Sequence, residues 1–131
     1  MKKQKVLVNA TTCTVGGGAQ VAANIIRSSL SSVDYEYRYA LSPEVENHLS
    51  VLTDINKFDY EIFKKPSRLV SGSKSREAIK CYAEKCSPNL IFTVFGPSYV
   101  RFTTHELMGI ADPWLTHATK VSYSNHTFPE K

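Results

Sequence analysis

The residues best placed to do chemistry stand close to the amino terminus, in VLVNATTCTVGGGAQ from Val6 to Gln20. A short apolar run empties there into three contiguous glycines, Gly16, Gly17 and Gly18, and then into a helical pattern. Successive glycines let backbone N–H groups approach an oxyanion without side-chain obstruction, and a helix starting there adds its positive end and its unpaired donors. Thr11, Thr12 and Thr14 place hydroxyl groups beside the turn. The chemistry on offer is the holding of a small anionic group, by default a phosphate. A plainer reading stays open, in which the glycines only permit a tight turn and close helix packing.

Neither common nucleotide fingerprint is present. No lysine and hydroxyl residue follow the glycines, as a GxxxxGK[ST] loop requires, and contiguous glycines do not make GxGxxG. Asp34 and Glu36 lie around the second predicted strand, and nothing singles out either as a ribose ligand. His105 and Glu106, in a predicted loop, offer a base or a donor near the same place, with His105 the candidate for proton transfer and surface placement the alternative. His48 is expected at the boundary of a helix. His117 and His126, with Asp112, match no metal-ligand spacing, so no metal site is expected. Trp114, after Asp112-Pro113, suits a core anchor or a sugar-stacking platform. The sequons at Asn9 and Asn125 carry no weight in a cytoplasmic chain, and Asn9 closes a buried strand.

The elements that must position these groups follow from periodicity. Lys5 to Asn9 has no polar face around Val6, Leu7 and Val8, as expected of a parallel strand covered on both sides. Val21, Ala22, Ile25, Ile26 and Leu30 recur at helical spacing and predict an apolar face lying back on that strand. Asp34 to Leu41 alternates Tyr35, Tyr37 and Tyr39 with Glu36 and Arg38, a strand pattern. Ser42 and Pro43 form a helix start, with Val45, Leu49 and Leu52 as the buried stripe. Phe58, Tyr60 and Ile62 predict a third strand. Pro66 to Cys86 is helical in its second half, where Ala78, Ile79, Tyr82 and Ala83 share a face, while Gly72 leaves the first half undecided. Asn89 to Phe95 is the strongest strand, stopped by Gly96-Pro97, and Met108 to Ala111 is a shorter one.

This alternation predicts an α/β, three-layer Rossmann-like domain with a mostly parallel sheet and right-handed crossovers. The first strand is central, and the Asn89 to Phe95 strand returns to its other side. Ligands of such sheets bind beyond the carboxyl ends of the strands where the order reverses. The loops Ala10 to Gly18 and Gly96 to Thr104 are therefore expected to face each other across one cleft.

Composition bounds the answer. With 131 residues, 42% hydrophobic and 21% charged, one continuous core and one domain are expected. Cys13, Cys81 and Cys86 make no CxxC pair and leave one thiol over in any disulfide scheme, which fits a reducing compartment. No apolar stretch approaches the roughly 18 residues needed to span a bilayer, so a cytoplasmic protein is expected, its alternative placement the inner face of a membrane. The formal charge of +4 fits phosphate, polyanion or membrane-surface partners, but it is scattered and lacks the aromatic interleaving of single-strand binders, so no nucleic-acid partner is expected.

Three segments together, VLVNATTCTVGGGAQVAANII, PNLIFTVFGPSYVR and MGIADPWL, resemble the amino-terminal half of retaining, metal-independent glycosyltransferases with two Rossmann domains, the GT-B architecture of family 4-like enzymes. The resemblance runs from about Lys5 to Leu115. It implies an acceptor-side domain of an enzyme that moves a sugar from a nucleotide-sugar donor to a glycan or lipid-linked acceptor, with no further cofactor. By position it puts Gly17 and Gly18 at the donor diphosphate or sugar, with Gly16 widening the turn. It lines the same cleft with Thr14, Gly96, Pro97, Ser98 and Arg101, and makes Asp112-Pro113-Trp114 a cleft-facing turn. It also implies that the carboxy-terminal domain binding the nucleotide-sugar is missing from these residues, as an excised domain or as one supplied by a separate polypeptide, and that the chain alone is inactive. The alternative function is a non-enzymatic phosphate or nucleotide binding module or adaptor. A small dehydrogenase-like domain has the wrong glycine spacing. Oligomeric state stays open.

Overall fold

The computed structural model describes residues 2–110. Five strands run parallel in the order β3-β2-β1-β4-β5. They are β1 (Gln4–Ala10), β2 (Tyr35–Leu41), β3 (Tyr60–Ile62), β4 (Leu90–Thr93) and β5 (Glu106–Met108), with helices α1 (Gly17–Ser29), α2 (Pro43–Leu52) and α3 (Ser73–Cys86). β1 lies in the middle and the strand order reverses between β1 and β4, as the alternation of elements predicts.

The apolar strands alternate between two covered faces. Val8 and Ala10 of β1 join Tyr39 and Leu41 of β2 under α1 and α2, in a cluster with Ala19, Ala22, Ala23, Ile26, Val45 and Leu49. Leu7, Ala40 and Ile91 face the other way, onto Ile79 and Ala83 of α3 and Val100 of the β4–β5 connection. Right-handed crossovers explain this division: connections toward β3 pass on one face, and those returning toward β5 pass on the other. The strip of Val6, Val8, Leu90, Phe92 and Leu107 beyond α1 borders a cleft of about 380 Å³.

Local chemistry sets the helix starts. Ser42 caps α2, its Oγ accepting from Val45 N–H at 3.2 Å and donating to the Cys13 carbonyl at 2.7 Å, with Pro43 at the first helical position. Gly72 lies in a 3-10 turn, Val70–Gly72, that runs straight into α3, so the first half of the Pro66 to Cys86 span is loop and turn.

Several expectations are corrected. The buried stripe of α1 is Ala19, Ala22, Ala23 and Ile26, and Val21 is 43% exposed. Small side chains let the helix sit close on the sheet, which shifts its inward face toward the alanines. Leu52 is exposed at the end of α2, and Ala78 lies on the exposed side of α3. Phe58 follows the 3-10 turn Ile55–Lys57 and packs edge-on to Tyr39, so β3 starts only at Tyr60. β4 is shorter than Asn89 to Phe95. β5 begins earlier than Met108: Glu106 pairs with Ile91, and Gly109 closes the ladder by donating to the Thr93 carbonyl at 2.9 Å. Ala111 lies outside the described residues.

No helix among the described residues is long and apolar enough to cross a membrane.

Candidate functional site

The β1–α1 turn sits where the strand order reverses, and it is tied to both neighbouring strands. Thr12 Oγ1 donates to the Phe95 carbonyl just after β4. On the other side, the Cys13 carbonyl accepts from Ser42 at the end of β2. The first predicted loop therefore meets Phe95, one residue before the second, beyond the carboxyl ends of β1 and β4.

Past these ties the chain reaches the glycines. Gly16 has φ of 58° and ψ of −146°, a backbone state open in practice to glycine alone, and it precedes the first turn of α1. Gly17 and Gly18 differ. Neither has positive φ; a Cβ on Gly17 would meet nothing within 4 Å, and one on Gly18 would make ordinary contact with the Phe95 ring at 3.7 Å. No side chain caps this helix start, and no acidic residue lies in its first turn. The end thus keeps its partial positive charge and free N–H donors pointing outward. Thr14 is half-buried beside it.

The second loop is more mixed. A Cβ on Gly96 would displace the exposed Met108 side chain, and the Gly96 N–H donates to the Gly109 carbonyl at 2.9 Å. Pro97, joined to Gly96 by a cis peptide bond, and Arg101 are exposed. Ser98 is buried with its Oγ 3.4 Å from Val100 N, turned into its own loop. Tyr99 has φ of 60°, an uncommon state for a bulky side chain, and is 42% exposed.

His105 is separated from the glycine turn. Its neighbour Glu106 is level with Ile91, which is level with Leu7, so His105 stands at the level of Val6, four residues below Ala10. That is about 13 Å along the strands. Proton transfer by His105 at the glycine turn does not fit this register, and Glu106 belongs to a strand rather than to the predicted loop. Asp112 and Trp114, like His117 and His126, lie outside the described residues. His48 is exposed on α2. Among the described residues no group of three or more His, Cys, Asp or Glu side chains could hold a metal ion.

The structure adds a polar chain beneath the turn. Asn9, Thr11 and Thr93 are fully buried. Asn9 Oδ1 accepts from the Thr11 hydroxyl at 2.7 Å and from Thr11 N–H at 3.2 Å, and Asn9 Nδ2 donates to Thr93 Oγ1 at 3.2 Å. Thr93 Oγ1 in turn donates to Glu106 Oε2. The signal in the sequence is a polar residue near the end of each of two otherwise apolar strands, Asn9 in VLVNA and Thr93 in LIFTV. With both ends of its amide engaged inside the fold, Asn9 offers no glycosylation acceptor.

The Cys13 thiol is buried in the turn, and burial pushes its pKa up against the opposing hydrogen bonds with the Thr12 side chain and the Phe95 backbone. Burial and the raised pKa both hold down its thiolate fraction.

No family model, no curated protein and no solved structure matches this chain.

Proposed function

We propose that this chain is the acceptor-side, amino-terminal domain of a retaining glycosyltransferase that uses a nucleotide-sugar donor, with the glycine turn as one wall of the transfer site. The reading rests on the resemblance of its three segments and on one structural observation. The first two residues of α1 are glycines that neither backbone conformation nor packing requires. Glycine lowers helix stability by up to about 1 kcal/mol against alanine, so two of them at an exposed helix start are explained by what must approach the backbone there.

In this role the acceptor hydroxyl attacks the anomeric carbon as the nucleoside diphosphate departs. The N–H groups of Gly17 and Gly18 face the negative charge that develops, as an oxyanion site does. The cations that neutralise the diphosphate, and the groups that hold the nucleotide, belong to a second domain outside these 131 residues. Arg101, Pro97 and Asp112-Pro113-Trp114 are the acceptor-side candidates.

The test is a sugar-transfer assay with the 131-residue chain alone and with a donor-binding domain added. The reading expects transfer only from the pair; turnover by the chain alone contradicts it. The uncapped helix start also fits a non-enzymatic phosphate or nucleotide binding module. That alternative requires strong nucleoside diphosphate binding by the isolated chain, whereas the transferase reading requires weak binding.

A further inference from the structure

The polar chain below the glycine turn has a direction that is set at both ends, by Glu106 and by the backbone N–H of Thr11. A carboxylate only accepts hydrogen bonds, so the Thr93 hydroxyl facing Glu106 Oε2 must give it its single proton. Thr93 Oγ1 is then left with lone pairs alone, and the only end of the Asn9 amide that can face it is the NH₂ group, found there at 3.2 Å. This agrees with the amide orientation that the Thr11 N–H donor requires at the other end. Asn9 Oδ1 faces Thr11, where it takes both the hydroxyl and the backbone N–H. Thr11 is the first residue of the turn, directly before the Thr12 and Cys13 ties.

Each link lies where a wrong orientation is costly. Asn9, Thr11 and Thr93 have no exposure to water, and a flipped Asn9 amide would set NH₂ against the Thr11 N–H donor and a carbonyl oxygen against the lone pairs of Thr93. The chain spans from β5, the last strand on that side among the described residues, across β4 to β1. The Thr11 N–H demands the same amide orientation from its own end; what it does not supply is an acceptor for the Thr93 hydroxyl proton, and Glu106 supplies that. Leu7, Ile91 and Glu106 are level across the three strands on the face toward α3, where Leu7 and Ile91 are apolar and buried. Burial of apolar surface therefore does not account for a carboxylate in that row.

We infer that Glu106 is a positioning residue for the glycine turn, acting through Thr93 and Asn9 on Thr11. Its consequence for ligand contact rests on the reading of that turn as a transfer-site wall; its effect on the turn itself does not.

The experiment is residue-resolved amide hydrogen exchange on the 131-residue chain and on Glu106→Ala, Glu106→Gln and Thr93→Val. The Thr11 amide should exchange about tenfold faster in Glu106→Ala and Thr93→Val, the scale of one lost hydrogen bond. Glu106→Gln should stay within about twofold of the parent, because its amide oxygen can accept the same Thr93 proton. The Val45 amide, held by the Ser42 cap, serves as a control and should not change. Unchanged Thr11 exchange in Glu106→Ala, equal changes in the Ala and Gln variants, or faster exchange at Thr11 and Val45 alike each overturn the positioning role. Addition of uridine diphosphate to the same samples separates the two claims. Exchange that follows the pattern above with glycine amides indifferent to the nucleotide upholds the role of Glu106 and counts against the transferase reading alone.

Discussion

Substituting Gly17 by alanine should make the protein more stable and less capable. The added methyl meets nothing within 4 Å, and the residue already holds a helical conformation with negative φ. Alanine then gains from a less flexible unfolded chain and from better helix propensity, together about 0.4–1 kcal/mol. For 131 residues this corresponds to a rise in Tm of about 1–4 °C. Gly16→Ala is the matched opposite: at φ of 58° and ψ of −146° a side chain is strained, and the loss should be about 1–3 kcal/mol. Thermal and urea unfolding of the three proteins read both numbers. The proposed transferase role expects Gly17→Ala to lower the rate of sugar transfer at least about tenfold, since the methyl stands where the ligand would approach the N–H donors. A Gly17→Ala protein destabilised by more than about 0.5 kcal/mol would show that the fold itself requires the glycine. One that is stabilised and fully active would remove the functional reason for it; either result refutes the reasoning.

Other consequences are as direct. Ser42→Ala removes the α2 cap and the tie to the Cys13 carbonyl together, and urea unfolding should register a loss of about 1–2 kcal/mol. Labelling with a thiol reagent under native conditions should modify exposed Cys81 first and buried Cys13 last, with Cys13 reacting only as fast as the chain opens. Burial raises the Tyr82 hydroxyl and the Cys13 and Cys86 thiols above their ordinary values, so the folded chain holds these protons more tightly than the unfolded one. Their stabilisation is complete below the unfolded pKa values and lost as pH rises toward the folded ones. Urea midpoints should accordingly stay level up to about pH 8 and fall above about pH 9. Tyr82→Phe should flatten part of that fall, while losing the bond to the Tyr39 carbonyl at 3.2 Å.

What could be seen in the sequence was whatever depends on neighbours along the chain. The apolar run of β1, the Ser42-Pro43 helix start and the α3 pattern are local, and handedness then orders the strands around β1. The triple glycine marked the turn correctly. It could not show that Gly16 alone is needed for conformation while Gly17 and Gly18 are not, because that depends on the surrounding space. Of the residues read as the inward face of α1, Ala22 and Ile26 are buried and Ile25 and Leu30 pack against the core, while Val21 is exposed and Ala19 and Ala23 are buried in addition. The start of β5 and the level of His105 are matters of register between strands distant in sequence, with no local marker. The same holds for the chain from Thr11 to Glu106: Asn9 and Thr93 are 84 residues apart, and only the parallel pairing of β1 with β4 brings them together.

The central claim is that the backbone of the glycine turn meets the donor. Its most direct test is a titration of the ¹⁵N-labelled 131-residue chain with uridine diphosphate and nucleotide-sugars, followed amide by amide. The account predicts that the Gly17 and Gly18 signals move together with those of the Gly96 to Arg101 loop, approaching saturation only at millimolar ligand. Movement confined to other surfaces, or saturation at micromolar ligand as a complete nucleotide pocket would give, would contradict it.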